Sequence, residues 1–112
     1  MANNELSGPT VLAELAKYIK KKKRLRFSYR FVLLPETIGS ICYINKFYKT
    51  LKSRMICGFN VSCVGDNGNF SIIKSKQGDT LADFSLKNVI YKKRKFKEYS
   101  FLERGSDERQ YC

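Results

Sequence analysis

Two almost continuously apolar runs, each preceded by a helical pattern, constrain the fold of this chain most. "LRFSYRFVLL" covers Leu25–Leu34, with apolar or aromatic residues alternating before the run becomes wholly apolar, and "MICGFNVSCV" covers Met55–Val64. Strands with so few charges are typical of a sheet that is covered on both faces, as parallel sheets are. We therefore predict that these segments are adjacent and parallel strands.

The remaining periodic segments predict helices that alternate with strands. Such an order predicts an α/β three-layer sandwich with a mainly parallel sheet and right-handed crossovers, folded as a single domain. The predicted elements are a helix over Pro9–Lys22 with Ser7 as its N-cap, a helix over Thr37–Lys52, a short strand or extended segment over Phe70–Ile73, a helix that begins after a cap at Asp79 or Thr80, and a last strand near Lys97–Leu102.

Composition excludes several classes of protein. No apolar run approaches the roughly 20 residues of a membrane helix, and the N-terminus lacks the layout of a signal peptide, which favours a cytoplasmic location. The chain has four cysteines without a C-x-x-C pair and no histidine, which argues against a zinc finger or ribbon. Cys42, Cys57 and Cys63 lie in apolar contexts, where a buried free thiol is the commoner role, with disulfides as the alternative.

Much of the net charge of +12 lies in two runs, Lys17–Arg26 and Tyr91–Lys97. Both runs close a helical pattern, where cations are favoured by the helix dipole. They also fit a surface for a polyanion, so a small basic α/β module that binds nucleic acid is an alternative function. Five aromatic residues near the runs have the chemistry to stack on bases: Tyr18, Phe27, Tyr29, Tyr91 and Phe96.

Acidic residues follow the predicted strands. Glu36 comes just after the first apolar run, Asp66 lies in the turn-rich segment Gly65–Asn69, and the segment Glu103–Arg109 follows the last strand. Ligands bind outside the carboxyl ends of the strands in open parallel sheets, so these residues are predicted to converge. Carboxylates gathered in this way suit a metal ion or acid–base catalysis on water.

Each acid also has a purely structural interpretation. Glu36 is an acid at the start of a helix, which the helix dipole favours. Asp66 belongs to "GDNG", a good turn sequence without any function. Asp107 and Glu108 alternate with arginines and can form local ion pairs.

Four segments carry a resemblance to the zinc aminopeptidase superfamily. "MANNELSGPTVLAELAKYI" resembles its D-N-x-S-G segment followed by an apolar helix, and "FVLLPETIGS" resembles the segment in which a glutamate follows a buried strand. "GFNVSCVGD" is similar to the next buried strand, and "FLERGSDERQYC" to a later S-D segment. Their order is similar to that in the aminopeptidase-like domain of zinc peptidases associated with polysaccharide biosynthesis.

The resemblance implies a hydrolase that cleaves a peptide or amide bond with zinc as cofactor. It implies that Glu36 is a general base or metal ligand and that Asp66 and Asn4 lie in the metal region. Asn4 stands where the superfamily has a metal-bridging aspartate, and a neutral amide is a poor bridge. The resemblance places four further residues in the pocket: Glu5, Ser106, Asp107 and Glu108.

The absence of histidine departs from the superfamily, which uses one histidine before the first segment and another after the last. We therefore expect a central fragment of the domain, truncated at both ends, with part of a metal site. The fold that the resemblance implies is the phosphorylase/hydrolase-like sandwich of the zinc aminopeptidases.

Overall fold

The chain forms helices and two short strands in a computed structural model that describes residues 2–92 and 96–111. Two compact units are present, one made of Met1–Leu33 and Val61–Asn67 and the other of Leu34–Asn60 and Gly68–Cys112. The elements are α1 (Ala2–Glu5), α2 (Ser7–Lys20), α3 (Ile38–Arg54), β1 (Phe70–Ile73), α4 (Leu81–Tyr91) and β2 (Phe96–Tyr99), followed by two 3₁₀ helices, Phe101–Glu103 and Asp107–Tyr111.

A β–α–β motif holds the regular sheet of the second unit. β1 and β2 pair in parallel, with Ile72 opposite Glu98, and α4 connects them. Ile72 is only 2 % exposed, while Glu98 forms ion pairs with Lys87 of α4 at 2.5 Å and with Lys74 at 3.7 Å. The parallel α/β arrangement confirms the predicted class for this pair, and β1 has the predicted bounds.

Asp83 fixes the loop between β1 and α4. Thr80, one of the two predicted caps, is the N-cap and forms a capping box with Asp83. The Asp83 carboxylate accepts hydrogen bonds from the backbone N–H and the hydroxyl of Ser75 and from the same two groups of Thr80, at 2.6–2.9 Å. This loop is thereby held by a buried carboxylate, which is 5 % exposed.

Helix α3 extends two residues beyond the predicted Lys52, to Arg54. Its first turn packs closely on the preceding chain, because a Cβ on Gly39 would lie 3.0 Å from both Leu34 Cβ and Pro35 Cδ. The G-S pair of "LPETIGS" thus has a local reason, since glycine leaves room for the leucine and the proline.

In the first unit, α2 begins two residues before the predicted Pro9, and Leu6 rather than Ser7 is the N-cap. The Ser7 hydroxyl donates to the Asn3 carbonyl instead. This hydrogen bond has the i to i−4 spacing of a helical turn. Gly8 is buried, and a side chain there would overlap the backbone carbonyl of Val61. The prediction that Ser7 caps the helix is therefore wrong, because its hydroxyl is used within the turn.

The two predicted strands over Leu25–Leu34 and Met55–Val64 do not form in the described part of the chain, and the prediction of their parallel pairing is wrong. A strand needs a neighbouring backbone for its ladder, and apolar composition does not supply one. Large apolar side chains in both segments are instead substantially exposed, at 48 % for Leu25, 63 % for Leu33 and 60 % for Ile56.

The expectation of buried thiols is also wrong, since Cys42, Cys57 and Cys63 are all exposed and free. Apolar neighbours in the sequence did not bring them into a core. Within residues 2–92 and 96–111, no helix combines the length and the apolar character that crossing a bilayer requires. The first basic run includes the last turn of α2, and three residues of the second run, 93–95, lie outside the described residues.

Candidate functional site

Asp66 and its neighbours form a hydrogen-bonded cluster in the first unit. The Asn3 side chain donates to Asp66 Oδ2 at 2.8 Å and accepts from the backbone N–H of Gly65 at 2.7 Å. The Ser7 hydroxyl accepts from the N–H of Val64 at 3.0 Å. The turn that carries Asp66 is therefore held by two side chains from the N-terminal helices.

Asn4 lies beside a different partner. The Cys63 thiol donates to Asn4 Oδ1 at 3.4 Å, and Cys63 has a positive φ of 51°. Both side chains are exposed, as are Glu5 at the end of α1 and Asp66. Asn4 and Asp66 are thus both predicted metal-region residues of the first unit, but they bind different neighbours.

Glu36 lies in a tight turn of the second unit, directly before α3. The N–H of Ile38 donates to the carbonyl of Glu36 at 2.7 Å, and Thr37 between them has φ 62° and ψ −71°. The Glu36 carboxylate is exposed and has no hydrogen-bond or ion-pair partner among the described residues. It is therefore available to a ligand, whereas its backbone is fixed.

Asp107 binds the same turn through uncharged donors. Its Oδ1 accepts from the N–H of Thr37 at 2.7 Å, and its Oδ2 accepts from the hydroxyl of Ser40 at 2.5 Å. Ser40 is 1 % exposed. The structure accordingly brings the predicted pocket residue Asp107 to the turn that carries Glu36.

Glu108, next to Asp107, organises its own loop. Its Oε1 accepts from the N–H groups of Gly105 and Ser106 at 2.9 and 3.1 Å, and its Oε2 accepts from the Asn60 side chain at 3.0 Å. Partial burial acts to raise the pKa of the Glu108 carboxyl, but the backbone and Asn60 hydrogen bonds prevail and lower that pKa. Ser106 contributes through its backbone.

The predicted site residues divide between the two units. Asn4, Glu5 and Asp66 belong to the first unit, and Glu36 belongs to the second together with the segment 106–108. The described ranges hold no group of three or more His, Cys, Asp and Glu side chains placed to bind one metal ion. The residues present therefore do not fit a zinc ion by themselves.

Sequence reasoning missed four residues that hold these turns. Asn3 rather than Asn4 binds Asp66, and successive helical residues point about 100° apart, which follows from 3.6 residues per turn. Ser7 was predicted only as a helix cap, and neither Thr37 nor Ser40 was predicted to hold a turn. Ser40 had a signal in the sequence, because a small polar residue after Gly39 at a helix start suits a buried hydroxyl.

Comparisons with known proteins agree over nearly the whole chain. Residues 1–112 match the family described as "Domain of unknown function (DUF4910)". A Clostridium acetobutylicum protein named "Putative polysaccharide biosynthesis protein with aminopeptidase-like domain" is 36 % identical, over 99 % of this chain and 25 % of that protein. A crystal structure of a "putative peptidase" from the same organism has a TM-score of 0.91 and 35 % identity, over 99 % of this chain and 26 % of that chain. The chain thus spans about a quarter of the length of these relatives.

Proposed function

The chain belongs to the DUF4910 family, and from the aminopeptidase-like domain named for its 36 % identical relative we propose that it is part of an aminopeptidase-like hydrolase that acts on a peptide or amide bond. The observation that carries the proposal is the TM-score of 0.91 to a crystal structure of a "putative peptidase". The sequence identity of 35–36 % to these relatives supports the same proposal, because the likeness covers sequence as well as fold.

The fold that we propose for the complete domain is a three-layer sandwich, into which the β1–α4–β2 motif fits. Parallel strands are normally covered by helices on both faces. Many large apolar side chains are exposed, among them Leu33, Ile38 and Ile56 at 60 % or more. The rest of an aminopeptidase-like domain would supply cover for such side chains, which a small chain alone leaves in water.

Glu36 is the residue that we propose for a direct role, as general base or metal ligand. Its carboxylate is exposed and unengaged among the described residues, while its backbone is held in a fixed turn. A fixed backbone beneath a free carboxylate favours a role in binding or proton transfer. Asp66 and Asn4 are weaker candidates, since Asp66 is bound by Asn3 and a neutral amide is a poor metal bridge.

Zinc is our proposed cofactor for the complete hydrolase only. Catalytic zinc sites usually take three protein ligands, and no such group lies among the described residues. Further ligands would have to come from other parts of a complete domain.

A chimera tests the proposal. The matched quarter of the Clostridium acetobutylicum relative is replaced by this chain, and hydrolysis of aminoacyl anilides is compared among the parent protein, the chimera and the chimera with Glu36→Gln. We expect activity in the first two and a loss of at least a hundredfold in the third, as the removal of a general base typically costs. Hydrolysis that survives Glu36→Gln would contradict the role of Glu36, and a parent protein inactive on all anilides and amides would contradict the hydrolase assignment.

A basic surface on the first unit supports a second candidate function. Within Lys17–Arg26, seven of ten residues are cationic and none is acidic. All ten residues are exposed except Ile19, which is half-buried. Lys22 lies 4.4 Å from the centre of the Tyr18 ring, and that ring is itself 58 % exposed. Cations interleaved with exposed aromatic rings are the composition that binds single-stranded nucleic acid.

A further inference from the structure

The turn that carries Glu36 has an unfavourable backbone conformation. The hydrogen bond from Ile38 N–H to the Glu36 carbonyl closes a three-residue γ-turn, with Thr37 at its centre at φ 62° and ψ −71°. This form of the γ-turn is rare and strained, and a positive φ is least favourable for a β-branched residue. Contacts outside the turn must therefore keep Thr37 in this conformation.

The Asp107 carboxylate supplies the contact on one side. It accepts from the N–H of Thr37 at 2.7 Å and from the hydroxyl of Ser40 at 2.5 Å, so it bridges the N-cap and the third residue of α3. Thr37 makes no side-chain cap of its own. A carboxylate at this end of a helix is favoured by the helix dipole, and its hydrogen bonds are strengthened by its charge.

Close packing holds the other side of the turn. Gly39 packs so closely against Leu34 and Pro35 that a Cβ would lie 3.0 Å from each, and its N–H donates to the Pro35 carbonyl at 3.0 Å. Glu36 lies between these two anchors. Its backbone direction is set by Pro35 before it and by Thr37 after it.

We propose that Asp107 is a positioning residue for Glu36. Asp107 holds Thr37 at positive φ, and that conformation fixes the direction in which the Glu36 carboxylate faces a substrate or metal ion. This inference rests on the proposed function, which gives Glu36 its role, but it concerns a different residue and a different property. Strained backbone conformations concentrate at functional sites, which agrees with a strained turn beside the candidate base.

The first test reads the turn itself, by NMR of the isotope-labelled 112-residue chain. Three-bond and one-bond couplings of Thr37 report its φ, and hydrogen exchange reports the protection of its amide. In Asp107→Ala we expect the positive φ to be lost and exchange at Thr37 to rise at least tenfold. Asp79→Asn is the matched control: Asp79 is an exposed acid of the same unit, and this variant should leave Thr37 unchanged.

A rescue variant separates positioning from general stability. Glycine adopts a positive φ without penalty, so Thr37→Gly added to Asp107→Ala should restore the turn, while Thr37→Ser should not. If Asp107→Ala does not fold, the couplings and the amide exchange of Thr37 are measured in Asp107→Asn instead. Retention of the positive φ and of amide protection in the Asp107 variants, or failure of glycine to restore the turn, would overturn the proposal.

The second test reads catalysis in the chimera described above. We expect Asp107→Asn to lower kcat at least tenfold with KM changed less than threefold, and we expect Thr37→Gly to recover a large part of that loss. A chimera with an intact turn and no hydrolysis would count against the proposed function alone. If an Asp107 variant loses the turn but keeps its kcat, that result would contradict only the proposal that Asp107 positions Glu36.

Discussion

Replacing Asp83 should destabilise the second unit, and the expected loss in the free energy of unfolding follows from the hydrogen bonds to its carboxylate. Burial acts to raise the pKa of Asp83, but the hydroxyls and backbone N–H groups of Ser75 and Thr80 outweigh it and lower that pKa from 3.8 to about 2. By linkage such a shift corresponds to about 2.5 kcal/mol at neutral pH. Because the amide oxygen of asparagine still accepts some of these hydrogen bonds, we expect about 1–2 kcal/mol for Asp83→Asn.

The pH dependence gives the sign of the effect. A carboxyl whose pKa is lower in the folded state stabilises the fold above its unfolded pKa, here 3.8, and that stabilisation is lost as pH falls through about 2. Urea unfolding followed by circular dichroism should therefore show a gap between the wild type and Asp83→Asn that is full at pH 6 and shrinks between pH 4 and pH 2. Asp79→Asn removes an exposed charge from the same loop and should show no such gap.

Two results would refute this reasoning. The first is a gap below about 0.5 kcal/mol at pH 6, which would place the Asp83 hydrogen bonds in the range of ordinary surface substitutions. The second is a gap that stays constant down to pH 2, because the effect would then come from side-chain shape and not from charge.

Two further predictions concern ligands. Calorimetric titration of the 112-residue chain with zinc should show only weak binding, because the described residues hold no three-ligand group; submicromolar binding that Glu36→Gln abolishes would contradict this. Single-stranded DNA should bind weakly at 50 mM salt and not measurably at 200 mM, as expected for contacts that depend on released counterions. Anisotropy that reports submicromolar binding at 150 mM salt, lost when Lys20–Lys23 are replaced by glutamine, would favour the second candidate function.

The sequence predicted the elements whose signals are local. β1 could be predicted because Phe70–Ile73 is an apolar segment between turn residues, and the start of α4 because Thr80 and Asp83 form a capping box within four residues. Whether Leu25–Leu34 pairs as a strand could not be predicted, since a ladder depends on a second backbone that the segment does not encode.

The candidate site shows the same division. Glu36 stands out in the sequence as an acid that ends an apolar run, and the structure leaves its carboxylate exposed. The contact of Asp107 with Thr37 could not be predicted from either local sequence, because the two residues are 70 positions apart. The choice between Asn3 and Asn4 depended on helix rotation within α1, which a four-residue pattern does not define.

The long separation between Asp107 and Thr37 has a consequence for the order of folding. Closing a loop over a separation of 70 positions costs about 4 kcal/mol of chain entropy, against about 2 kcal/mol for the eight positions that separate Asp83 from Ser75. The loop between β1 and α4, which Asp83 holds, is therefore expected to form early from local contacts, whereas the turn at Thr37 needs the distant Asp107 carboxylate. We therefore expect Glu36 to acquire its final direction late, so that a partly folded chain would carry this glutamate without the geometry that its proposed role requires.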